Sequence, residues 1–194
     1  MMKRIMPFVV LAITHPAFSQ PPINYSNWLS TLPELPSSNI ISLSIPDDPG
    51  TPADPLIVKQ FVFPLYQNVI ETNASLLYYF AGKITSCSNY DIVLIYLQQN
   101  WMDITRFKQL YLITFSKEGK QLHFKKVASH NRYSDAVVDI STACLINNNL
   151  LLIEGTRTFN QQPIYIKSEH SITQHGVIVT LTKPGHHTKA STEN

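Results

Sequence analysis

From Leu56 to about Lys183, short apolar, β-branched and aromatic runs alternate with clusters of Gly, Asn, Ser and Asp. The pattern predicts strands at Leu56–Phe63, Ser75–Thr85, Asp91–Gln98, Gln109–Ser116 and Gln121–Ala128. It continues with Ala136–Ile146, Leu150–Phe159, Ile164–His170 and Val177–Thr182. Strands at this spacing with turn signals between them indicate an all-β domain. The gaps are too short for crossover helices, so neighbours pair antiparallel. The expected fold is an antiparallel meander, as an up-and-down barrel or strongly curved sheet, with a two-sheet β-sandwich as the alternative.

Two turns are specific. Lys117-Glu118-Gly119-Lys120 joins two strands through a glycine free to take positive φ. Pairing Ser116 with Gln121 would set Phe115 opposite Leu122 and Ile113 opposite Phe124. Tyr111, Ile113, Phe115, Leu122 and Phe124 would then share one buried face. Asn147-Asn148-Asn149 makes the second turn, since Asn tolerates the left-handed region. Its flanks, Ala143–Ile146 and Leu150–Ile153, are apolar on both faces, which predicts a central pair covered on both sides.

Ahead of this domain the composition changes. Residues 20–55 hold eight of the 13 prolines and read as a proline-rich N-terminal arm. Within it only Ile40–Ile45 looks like a strand, and Asn27–Leu32 could form a helical turn that packs Trp28 on the domain. The arm is expected to contribute little core. Residues 56–183 form the β-domain, and 184–194 are a polar tail expected to fray.

Residues 1–19 read as a secretory signal. Lys3 and Arg4 precede an apolar stretch from Ile5 to Ile13, and Ala17-Phe18-Ser19 supplies the small-x-small cleavage pattern. Cleavage after Ser19 would start the mature chain at Gln20 in the periplasm or the medium. It would also remove two positive charges, leaving 13 basic against 13 acidic residues. No apolar run reaches the roughly 18 residues of a spanning helix, so no transmembrane anchor is expected. In an oxidising compartment Cys87 and Cys144 are candidates for a disulfide.

Chemistry is sparse. The chain holds six glycines and has no phosphate-cradling loop, nucleophile elbow or zinc-protease helix. His170 and His175 flank a four-residue segment that could set them opposite each other, but two ligands make no metal site. Asp135 and Asp139 on one strand lie about 13 Å apart, too far to share a scissile bond. No cofactor and no enzyme activity are expected. The positive charge concentrates in residues 106–132, where Lys117, Lys120, Lys125 and Lys126 are candidates for a partner-contact patch. With only four arginines in the chain, a nucleic-acid partner is not expected.

The reading that follows is a secreted or periplasmic non-catalytic binding protein that occludes or recognises another extracytoplasmic protein, in the manner of an inhibitor or immunity protein. Two alternatives stand beside it: a β-barrel carrier of a small apolar ligand, and a hydrolase with an unrecognised site.

Overall fold

The computed structural model describes residues 22–36, 38–62, 74–85, 87–101, 104–133, 136–159, 162–181 and 185–187. Residues 1–19, read above as a secretory signal, Gln20 and Asp135 lie outside the described residues. Among the described residues, no helix is long and apolar enough to cross a membrane.

Among the described residues, the chain folds as one antiparallel sheet of ten strands. These are β1 (Ile40–Leu43), β2 (Ala74–Ile84), β3 (Tyr90–Trp101), β4 (Ile104–Ser116), β5 (Gln121–Tyr133), β6 (Ala136–Ile146), β7 (Leu150–Phe159), β8 (Gln162–Ile172), β9 (Ile178–Thr180) and β10 (Gly185–His187). Strands β2 to β8 lie side by side in chain order, and the sheet does not close into a barrel. Eight of the predicted strands are present. The tail holds a short ninth pairing that its polarity hid: Gly185–His187 runs along Lys167–Tyr165.

Long strands give the sheet its bend. β5 pairs with β6 only from Ser129 to Tyr133, against Ala136 to Ser141. Beyond Ser141 the two diverge, and β6 takes β1 instead, Ala143–Ile146 against Leu43–Ile40. The β6–β8 half therefore folds back over β3 and β4. Tyr90 donates its hydroxyl to Asn148 O (3.2 Å), and Asn89 Nδ2 to Gln174 O (3.2 Å), which fixes two turns of that half on the start of β3. Between the halves lies the main core. Ile92, Leu94 and Tyr96 of β3 and Leu110 and Leu112 of β4 meet Leu145, Leu151, Ile153 and Ile172.

A second core covers the opposite face of β3 and β4. Helix α1 (Tyr25–Thr31) and helix α2 (Pro55–Ile57), continued by a π-helical turn at Val58–Val62, lay Trp28, Leu29, Phe61 and Val62 on Val93, Ile95, Ile113 and Phe115. Trp28 stacks on Phe61 with ring centroids 4.4 Å apart and meets Phe80 and Phe115 edge-on. Asn24 caps α1 by accepting from Asn27 N, as an N-cap amide does. The helical turn expected around Trp28 is therefore present.

Three expectations are corrected. Leu56–Val62 is helical, not a strand. Asp54 accepts from Leu56 N (2.8 Å) and Pro55 occupies the first turn, a strong helix start, and Val58, Phe61 and Val62 are buried at helical spacing. The hairpin at Gly119 carries a bulge. Phe115 pairs with Gln121 and Ile113 with Phe124, so Leu122 is the extra residue. Leu122 consequently packs in the main core while Tyr111, Ile113 and Phe115 lie in the second, and Phe124 is exposed. The pair covered on both faces is β3–β4, because the helices dock there. Of the Asn147–Asn149 hairpin, Leu145 and Leu151 are buried while Cys144 and Leu152 are half-buried.

The arm is built into the fold. Tyr25 donates its hydroxyl to the buried Asp91 (3.1 Å), whose other oxygen accepts from Lys117 (2.6 Å). Burial and the Asp91 carboxylate push the Tyr25 phenol far above its ordinary pKa. Gly119, at φ 88°, lies against this ring, and a Cβ there would come 2.4 Å from Tyr25 Cγ.

Candidate functional site

Residues 33–36 and 38–46 of the arm form a strap across the sheet. At one end Lys83 N donates to Pro33 O (2.9 Å) and Leu35 N to Lys83 O (2.8 Å), so the strap pairs with β2. At the other end β1 pairs with β6. Glycine permits the first attachment. Gly82 follows a bulge at Phe80–Gly82, has φ 152°, and would bring a Cβ within 2.7 Å of Leu35 Cδ2.

Between strap and sheet lies a cleft of about 390 Å³. Leu35, Pro36, Ile40, Ile41, Leu43 and Pro46 form its outer wall, and Ala81, Leu94 and Leu110 its floor. Among the described residues of its lining, Ser38, Ser42 and Ser44 are polar and none carries an ionisable side chain. A second cleft, about 340 Å³, shares Leu35, Pro36, Ser38 and Ile41 with the first and adds Glu34, Asn39, Ile84, Asn147 and Asn148. Asn147 and Asn148 take φ of 48° and 57°, the left-handed conformation expected of this turn. Asn147 N donates to Asn39 O (2.8 Å), tying the turn to the strap.

The candidate lysines do not gather into one surface. Lys117 is drawn to Asp91, and Lys126 to the buried Asp139 (2.9 Å), which also accepts from Asn131 (3.0 Å). Lys125 pairs across β4 with Leu112 and Lys126 with Tyr111, so the two point to opposite faces, as alternation requires. Burial, with Lys126 adding to it, lowers the pKa of Lys125. Lys120 is exposed at the turn.

The candidate disulfide is not formed: Cys87 and Cys144 are both free. Cys144 lies between Ala143 and Leu145, whose side chains enter the main core, so its own points the other way. Cys87 packs against that core, which puts the two sulfurs on opposite sides of β6. Burial pushes the Cys87 thiol up in pKa.

His170 and His175 are also kept apart. The turn falls at Thr173–Val177, so His170 faces Thr180 across the ladder and His175 is exposed within the loop. Among the described residues no group of three or more metal-ligating side chains occurs. His170 is 2% exposed, its Nδ1 3.1 Å from Thr180 Oγ1 and its Nε2 3.0 Å from Ser168 Oγ. Burial, reinforced by nearby Lys125, lowers its pKa from 6.5 to about 4. The unfolded chain therefore binds a proton that the folded chain refuses between these two values. Stability from this residue is complete above pH 6.5 and is lost as the pH falls toward 4. Urea midpoints of the parent and His170→Gln, measured from pH 7.5 to 4.5, will converge on acidification. Parallel curves would exclude His170 as the source of acid sensitivity.

Of the cleft walls, the sequence marks the alternation at Ile40–Ile45, which locates β1 without signalling a cleft. The register of Pro33–Leu35 against Lys83 carries no local signal, because prolines on both sides hide a single bridge. No protein-family model matches the chain, and no curated protein and no solved structure is similar to it.

Proposed function

We propose that this chain is a secreted or periplasmic non-catalytic binding protein whose guest is a small, mainly apolar molecule held in the cleft beneath the strap. The observation that carries the reading is the cleft itself, about 390 Å³, mainly apolar on both walls and without ionisable side chains among the described residues of its lining. Ligand pockets typically span about 300–1,000 Å³ and are predominantly apolar with a few polar groups. The serines of the strap are such groups. An acidic protein partner has less to recognise, since Asp91 and Asp139 already engage Lys117 and Lys126. Export rests on the leader-like residues 1–19, with Gln20 as the new N-terminus.

The test is binding of the neutral fluorophore N-phenyl-1-naphthylamine. Saturable, one-to-one fluorescence enhancement is expected. Ala81→Phe, which fills the cleft floor, will weaken it at least about tenfold, equivalent to ~1.4 kcal/mol, with the melting temperature nearly unchanged. No saturable binding, or equal binding by a folded Ala81→Phe protein, would overturn the reading.

A further inference from the structure

We propose that the guest is a single-chain amphiphile with an uncharged, hydroxyl- or amide-bearing head, its chain under the strap and its head among Glu34, Asn39 and Asn147. The inference rests on the binding reading above and specifies the ligand. Its first ground is continuity: Leu35, Pro36, Ser38 and Ile41 wall both clefts, so an apolar and a polar compartment meet along the same four residues.

The second ground is charge. Among the described residues, Glu34 is the one carboxylate in the lining of the second cleft. It lies 3.7 Å from Lys83 Nζ and accepts from Thr85 N (3.2 Å) and Thr85 Oγ1 (2.9 Å). Lys83 is held inward by Leu29 O (2.8 Å), with its side chain only 12% exposed. A carboxylate or phosphate head would meet Glu34 without a cation offered to it. An ammonium head would meet a carboxylate already compensated by Lys83. An anionic head gains no cation, and an ammonium head gains only a carboxylate that Lys83 already offsets in part.

A neutral head has partners. Asn39 and Asn147 are exposed, and the backbone bond between them sets the two residues side by side at the rim. Each side-chain amide offers two donors and an acceptor, and Glu34 offers acceptors only. Hydroxyl groups, which both donate and accept, match this set.

The experiment is displacement of N-phenyl-1-naphthylamine by decyl glucoside, decanoate and decyltrimethylammonium, each below its micelle concentration. Decyl glucoside is expected to displace the probe at a concentration at least about tenfold lower than either charged compound. Asn39→Ala combined with Asn147→Gly, which keeps the positive φ, will lose most of that preference, read as the ratio of the three displacing concentrations measured on the variant itself. Equal displacement by all three compounds, or a preference that survives in the double variant, would overturn the head-group assignment while leaving the cleft reading intact. Failure of the probe to bind the parent would remove the cleft reading and this one with it.

Discussion

A protein lacking residues 20–46 will not fold cooperatively. The deletion takes away Tyr25, Trp28, Leu29, Leu32, Ile41 and Leu43, all buried. Full burial of such side chains contributes about 1.5–3 kcal/mol each, and a typical domain is stable by only about 5–15 kcal/mol. Together the six side chains are worth roughly the whole margin. What remains would leave only Val58, Phe61 and Val62 to cover Val93, Ile95, Ile113 and Phe115, and the edge of β6 beyond Ser141 would lose the strand that pairs with it. Urea denaturation followed by tryptophan fluorescence and circular dichroism checks this. A sigmoidal transition with the parent's steepness would show that the arm is an accessory.

Leu151→Asp will have a comparable effect from a single position. Leu151 is fully buried, in register with Leu145 on β6 and His170 on β8. The substitution removes a core side chain, at ~2–5 kcal/mol, and asks the core to hold a carboxylate that no neighbour solvates. His170 does not rescue it, because Ser168 and Thr180 already hold both ring nitrogens. Insoluble or unfolded protein is expected, while Ile140→Asp on the neighbouring strand, where the side chain is 46% exposed, leaves the melting temperature within a few degrees. A Leu151→Asp protein that melts with the parent would place this strand elsewhere.

The strands were legible because their information is local. Alternation and turn residues located β2 to β8, and Asn147 and Gly119 took the backbone conformations their chemistry favours. Three features were not legible, each for its own reason. The Leu56–Val62 helix was hidden by β-branched and aromatic residues, whose strand preference is weak against the Asp54–Pro55 start and helical burial. The bulge at Leu122 is invisible to a count that assumes strict pairing, and one extra residue moved that side chain to the other core. The strap depends on contacts between Leu35 and Gly82 and between β1 and β6, which no window of neighbouring residues contains. The cleft is the space those two contacts enclose, so it was beyond reach for the same reason.

The pairing of β1 with β6 also sets an order of events during folding. Ile40 meets Ile146, with most of the chain between them, and closing so long a loop is slow compared with forming the hairpins on either side of Gly119 or Asn148. A chain delivered N-terminus first therefore carries Ile41 and Leu43 for some time before their partner strand exists. Local hairpins from β2 to β8 can assemble meanwhile, leaving the floor of the cleft open to solvent. The strap crosses it only when Ala143–Ile146 is in place. The strand nearest the start of the described chain is among the last to be seated.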